Sequence, residues 1–208
     1  MRVRTEAKRD AILDAAAAVF LDLGYARASM SDIAERAGAS KVTVYGYFST
    51  KEELFLRVIG HKMGTVGAAL DALALRIDED AAIVIGDFGR QYLASTQSAE
   101  ARALKRVIHS YLEQDESTAR AFWEGGVQRM FDLVERYLSE ATASGHLAVN
   151  EPKVAAKQLL SLLEAEFNWT PPSRTASASP KAIDRAAARA ADTFVAAYRP
   201  TRATRGRK

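Results

Sequence analysis

Ser29-Met-Ser-Asp-Ile-Ala-Glu-Arg-Ala-Gly38-Ala-Ser40-Lys-Val-Thr-Val-Tyr-Gly-Tyr-Phe48 is the stretch on which the reading of the fold turns. Ile33, Ala34 and Ala37 give one short helix an apolar side, and Gly38 stops it. Either Ser29 or Ser31 can cap its start, and Ser40 can cap a second helix running to about Phe48. Two short helices joined by so tight a turn form the helix-turn-helix arrangement. Ala34 is small where the two helices approach most closely, and Gly38 sits where a positive φ is expected. Ala39 and Val44 are apolar where the second helix packs back. The other side of that helix carries Ser40, Lys41, Thr43 and Tyr47.

Upstream, Ile12, Ala16, Val19, Phe20 and Leu23 fall on one face of a helix, with Gly24 as its C-cap. Downstream, Thr50 and Glu53 have the spacing of a capping box, and the helix they open buries Leu54, Phe55, Val58 and Ile59. Beyond residue 62 longer helices are predicted over roughly 81–97, 100–113, 117–144, 152–169 and 180–198, with Gly125 and Gly126 kinking the third of these. No strand-length run alternates. The predicted fold is all-α, with about nine helices.

Composition narrows the function. The chain has 208 residues, 48% of them apolar and 26% charged, as in an ordinary globular protein. With no Cys, disulfides and Cys-ligated metals are excluded. No apolar run is long enough to span a bilayer and the start lacks a signal-peptide core, so the simplest reading is cytoplasmic, with no membrane partner. Residues 1–62 carry ten Lys/Arg against eight Asp/Glu, 63–198 carry fourteen against eighteen, and 199–208 carry five cations and no acid. Basic ends suit a polyanion, although the last ten residues serve equally as a solubilising tail. The three His, at 61, 109 and 146, have no metal-ligand spacing, and no Gly-x-Ser-x-Gly elbow or dinucleotide fingerprint occurs. No catalytic residue, metal or cofactor is predicted, and a helical enzyme is the disfavoured alternative.

The run from Asp32 to Phe48, followed by Ser49-Thr-Lys51-Glu-Glu-Leu-Phe55, resembles the DNA-reading element of the TetR family over about residues 8–60. The resemblance implies a helix-turn-helix DNA-binding domain over 1–55 with a basic arm at 1–9. A helical ligand-binding and dimerisation domain over 56–198 and a basic tail at 199–208 complete the expected division. Phosphate contacts are implied for Tyr45 and Lys51, and for Ser29 and Ser31 at a helix start. Lys41, Thr43 and Tyr47 are implied to face bases in the major groove, where Val42 can add an apolar contact. Phe48 is implied to be core. Gly46 lets the helix backbone approach DNA closely or is merely tolerated; a glycine there costs about 0.5–1 kcal/mol relative to Ala. Arg2, Arg4, Lys8 and Arg9 form an arm that follows the DNA backbone or frays.

The expected partners are a pseudo-palindromic operator in double-stranded DNA, a second copy of the chain, and a small apolar or aromatic effector that releases a repressor from DNA. A DNA-binding repressor or architectural protein without an effector is the alternative. The expected dimer interface draws on Leu159, Leu162 and Phe167 in one helix and on Ile183, Ala187, Ala190, Phe194 and Tyr198 in the last, whose Ala-rich stripe admits a close neighbour. Pocket candidates are Phe88, Tyr92, Tyr111, Phe122, Trp123, Met130, Phe131 and Trp169, with Gln91, His109 and Asn168 as orienting polar groups. Most aromatics at this spacing are plain core. Gly60, Gly64 and Gly67 either permit close packing or soften the link between the domains.

Overall fold

The structure, a computed structural model, describes residues 5–62, 64–74, 76–112, 120, 123–168 and 177–200. Among them are ten α-helices and no strand: α1 (Glu6–Arg27), α2 (Met30–Arg36), α3 (Lys41–Tyr47), α4 (Lys51–Lys62), α5 (Gly64–Ala74), α6 (Ala81–Thr96), α7 (Ala99–Leu112), α8 (Gln128–Ala143), α9 (Pro152–Asn168) and α10 (Pro180–Ala197). α5 is the helix that periodicity did not disclose. A π-helical turn, Trp123–Val127, precedes α8, so the Gly125–Gly126 pair lies where the helix widens.

Two compact units emerge, neither of them continuous in sequence: Met1–Gly64 with Ala99–Gly126, and Thr65–Ser98 with Val127–Lys208. The linear division at residue 55 does not anticipate this. α7 joins the first unit because Leu104, Ile108 and Tyr111 complete the core built by α1, α2, α3 and α4.

In the first unit α1 buries Ile12, Leu13, Ala16, Val19 and Phe20. Burying a side chain of this kind contributes about 1.5–3 kcal/mol, which is what holds so short a set of helices together. Leu23, placed on the same stripe by its spacing, is instead exposed, because the helix departs from helical geometry at Gly24 (φ 75°, ψ 160°) before one last turn to Arg27. Ser29, not Ser31, caps α2: its Oγ accepts from Asp32 N–H while the Asp32 carboxylate accepts from Ser29 N–H. α2 ends in a Schellman motif in which Gly38 (φ 55°) turns the chain, with Gly38 N–H on Glu35 O at 3.1 Å and Ala39 N–H on Ala34 O at 2.9 Å. Ser40 accepts from Thr43 N–H and starts α3. At α4, Thr50 accepts from Glu53 N–H as expected, but the Glu53 carboxylate reaches past it to Ser49 N–H.

The second unit is built around α6, α8, α9 and α10 with α5 against them, its core running from Leu70 through Phe88, Tyr137 and Leu159 to Phe194. α6 and α10 approach closely. A Cβ added at Gly89 would lie 2.5 Å from Leu163 Cδ2 and 3.2 Å from Ala187 Cβ, so a larger residue there would force the Leu163 side chain to shift. The Ala-rich stripe of α10 therefore receives α6 of its own chain. At Gly60 and Gly67 an added Cβ meets nothing within 4 Å, so close packing does not account for those glycines. No helix among the described residues is long and apolar enough to cross a membrane.

Candidate DNA-binding surface

α3 is held at both ends and along one face. Val44 is fully buried, Phe48 is 2% exposed beneath its C-terminus, and Ser40 caps its start. The opposite face is open: Val42 is 82% and Tyr45 52% exposed, with Ser40 and Lys41 also exposed. Thr43 is half-buried and its hydroxyl pairs with Ser40 Oγ at 2.8 Å, leaving its methyl as the group it can offer. A Cβ at Gly46 would meet nothing within 4 Å, so this position is a gap in the outward face, not a contact within the fold. The Asp32 carboxyl is held below the usual carboxylate range, first by the Ser29 hydroxyl and backbone and then by the nearby Lys41 charge. Ser31 is half-exposed in the first turn of α2.

Two residues expected at DNA are otherwise engaged. The Tyr47 hydroxyl accepts from Thr5 N–H at 2.8 Å and donates to Thr5 O at 3.4 Å, and its ring packs on the core. These contacts anchor the start of α1. Lys51 donates from Nζ to the carbonyls of Tyr25 and Ala28, each at 3.0 Å, and Nζ lies 4.3 Å from the centroid of the Tyr25 ring. Nor is the arm continuous to residue 9. Thr5 caps α1, Lys8 donates to Ala37 O at 3.2 Å and Arg9 faces Asp10, while Arg2 and Arg4 lie outside the described residues.

Tyr25 is the residue that sequence reasoning missed. Its ring packs against Phe20, Phe55 and Tyr111, and its hydroxyl donates to Glu52 Oε1 at 2.9 Å. Burial, with the hydrogen bonds to Tyr111 and Glu52, pushes the phenol far above its ordinary value and keeps it a neutral donor. The only local signal was its place immediately after Gly24.

The described pocket candidates are divided between the two units. Phe88 and Tyr92 are buried in the second unit with Met130 and Phe131 packed against the same core, whereas Tyr111 belongs to the first unit. There Tyr111 lines a cleft of about 260 Å3 with Leu23, Tyr25, Arg27, Arg106 and Val107. Gln91, His109 and Trp123 are exposed; Phe122 and Trp169 lie outside the described residues. Tyr92 donates to Glu164 Oε1 at 2.6 Å and Asn168 donates to Glu164 Oε2 at 3.2 Å, a polar group that the expectation only half contained. No set of three or more His, Asp or Glu among the described residues could hold a metal.

The interface assignment changes as well. Leu159 of α9 and Ile183, Ala187, Ala190 and Phe194 of α10 are buried inside one chain, in the core they share with α6. They are core, not interface. Leu162, Phe167 and Tyr198 remain half-buried at the margin. The open face of α9 is Val154, Gln158, Ser161 and Ala165, beside Leu162.

Comparison with known proteins agrees with this geometry. Residues 12–58 match the family model for bacterial regulatory proteins of the tetR family, and residues 84–200 match the AefR-like transcriptional repressor C-terminal domain. The HTH-type transcriptional activator FasR of Mycolicibacterium smegmatis is 47% identical over 58 residues, 28% of this chain. That match spans only 26% of the relative's own length. A protein from Mesorhizobium loti described as a TetR-family transcriptional regulator superposes with a TM-score of 0.78 at 28% identity, over 95% of this chain and 99% of its own. The flavonoid-responsive regulator FrrA superposes with a TM-score of 0.69 at 28% identity, over 95% of this chain and all (100%) of its own. With one family model covering the helix-turn-helix and a second covering more than half of the chain, the protein belongs to the TetR family of transcriptional regulators.

Proposed function

We propose that this chain binds operator DNA as a homodimer, laying the open face of α3 in the major groove, and that a small apolar or aromatic effector releases it. The observation that carries the DNA reading is Val42. A valine 82% exposed on a two-turn helix clamped at both ends contributes nothing to folding. Beside Lys41, Tyr45 and the Thr43 methyl it forms the mixed apolar and donor surface that base edges and phosphates need. Val42 and the Thr43 methyl suit thymine methyls, Lys41 suits guanine O6 and N7, and Tyr45 donates to a phosphate. Ser31, half-exposed in the first turn of α2, can add a phosphate contact beside the free N–H groups of that helix start. Gly46 leaves the backbone free to come close.

The dimer reading shifts to the face left open once α6 has filled the α10 stripe. Val154, Ser161, Leu162 and Ala165 recur at helical spacing along the outer side of α9, and a second copy presenting the same face makes an isologous contact. Phe167 and Tyr198 lie at its edge. The effector reading draws on the aromatic core around Phe88, Tyr92 and Phe131, where Glu164 supplies a polar group, and on the name of FrrA, which responds to flavonoids. Repression fits the AefR-like repressor domain, while FasR bears the name of an activator; the sign follows from where the operator lies relative to the promoter.

Selection of bound fragments from random duplexes, followed by footprinting, tests the first part. Two half-sites about 10 base pairs apart, or a multiple of that, are expected. Recovery of no common sequence overturns sequence-specific binding. A thermal-shift screen with flavonoids and other apolar ligands tests the second: a hit must also weaken operator binding, and a shift without release overturns the effector role.

A further inference from the structure

Leu23 falls on the core stripe of α1 by its spacing, yet it is 37% exposed, because Gly24 takes the chain out of helical geometry one residue later. Its side chain lines instead the cleft of about 260 Å3 between the end of α1 and α7. Tyr25, Val107 and Tyr111 share that lining, and the Tyr25 and Tyr111 rings stand 3.8 Å apart between centroids. Phe55 packs on both rings, at 4.9 and 5.1 Å, so the aromatic wall is fixed by the core behind it. The charged groups of the lining are Arg27 and Arg106, both exposed.

The two arginines call for an anion. Arg27 Nε donates to Leu23 O at 2.9 Å, which ties the side chain back to the lip of the cleft and leaves its two terminal nitrogens uncommitted. Among the described residues no carboxylate pairs with Arg27 or Arg106, and the nearby acids are taken: Asp22 accepts from Arg36 and Glu52 from Tyr25. A guanidinium presents its donors in a planar fork that suits a carboxylate. Inorganic phosphate alone would satisfy the cations but leave the apolar surface of Leu23 and Val107 wet. An uncharged apolar ligand would cover that surface and leave the cations unused. The cleft is smaller than the roughly 300–1,000 Å3 of sites for drug-sized ligands, and suits a single ring with a short acidic side chain.

We propose that the cleft between α1 and α7 binds a small aromatic carboxylate, with its ring against Leu23, Val107 and Tyr111 and its carboxylate on Arg27 and Arg106. The site lies wholly within the first unit, and Arg27 stands two residues before Ser29, the cap of α2. It is separate from the aromatic core around Phe88 on which the effector reading draws, and does not depend on that reading.

The test uses the full chain with phenylacetate as probe, followed by two-dimensional NMR of methyl and aromatic groups. Saturable shifts are expected at Leu23, Val107 and Tyr111, with a Kd of about 1 mM or below, the range open to a ligand of about ten heavy atoms. Phenylacetamide, the neutral isostere, should bind about tenfold more weakly, and acetate and inorganic phosphate, which lack the ring, should not saturate the same signals. Arg27→Gln and Arg106→Gln should each weaken phenylacetate binding by about threefold, as exposed ion pairs do, and together by about tenfold. Both side chains are exposed, so the variants should keep the wild-type spectrum away from the cleft. The comparison of acid with amide uses wild type alone and is independent of any variant's folding. No saturation up to about 10 mM overturns the site. Equal binding of the amide, or phosphate moving the same signals as strongly, overturns the ligand class. Displacement of phenylacetate by random duplex assigns the arginines to DNA phosphate and overturns it too. Shifts confined to Phe88, Tyr92 and Met130 overturn this site while supporting the effector reading in the second unit.

Discussion

Lys41 and Tyr45 share the open face of α3, yet their chemistry separates their roles. A lysine reaching base edges discriminates, whereas a phenol donating to a phosphate only positions. Lys41→Ala is expected to relax preference at one base position, read by competition among single-base operator variants; equal weakening on all of them rejects base reading. Tyr45→Phe should weaken every sequence alike with the salt slope kept, since the lost donor is neutral. Tyr47→Phe belongs to folding instead. Losing both contacts with Thr5 should destabilise the start of α1 by about 0.5–1.5 kcal/mol, seen as faster amide exchange over the first turn of α1, with base preference unaltered. Spacing alone could not sort these three. Tyr45 and Tyr47 are two residues apart, and only the position of Thr5, 42 residues from Tyr47, shows which hydroxyl is already taken.

At the scale of single helices, α2 and the α6–α10 pair make opposite demands. α2 is fixed by hydrogen bonds each linking residues no more than five apart, in the Ser29–Asp32 box and the Gly38 turn. The folded-state carboxyl of Asp32 titrates below its unfolded value, because Ser29 donates to the charged form. Its contribution is therefore present above the unfolded value, and is lost as pH falls through the lower folded one. Circular dichroism below pH about 4 should show α2 loosening, and Asp32→Asn should remove this step. The α6–α10 pair is instead fixed by a neighbour distant in sequence. Gly89→Ala puts a Cβ 2.5 Å from Leu163 Cδ2, and overpacking of this kind costs about 1–3 kcal/mol, measurable by urea unfolding. An unchanged midpoint would mean that the helices separate freely. The stripe on α10 was legible as a site of close approach because Ala186, Ala187, Ala190 and Ala191 recur on one side of it. Its occupant was not, since small residues admit any close neighbour.

For the whole molecule, the open side of α9 becomes the decisive surface. Leu162→Arg should leave each chain folded, because Leu162 is only half-buried, while disrupting self-association. Sedimentation should then show monomers, and operator affinity should collapse because one reading head cannot span two half-sites. A stable dimer in this variant would place the interface elsewhere. The same scale explains why the aromatic candidates scattered. Tyr111 and Phe88 both lie on amphipathic helices, and periodicity marks each as inward-facing without saying which core it enters.

Most helix positions, the Ser40 cap and the Gly38 turn followed from the residues themselves, because each rests on hydrogen bonds and periodicities confined to a few neighbours in the chain. The seat of the Lys51 ammonium, the anchoring of Thr5 by Tyr47, the partition of aromatics between two cores and the filling of the α10 stripe were decided by the folded chain. Each of those depends on which distant surface arrives first at an acceptor or a groove that several could fill, and that competition is settled only when the helices pack.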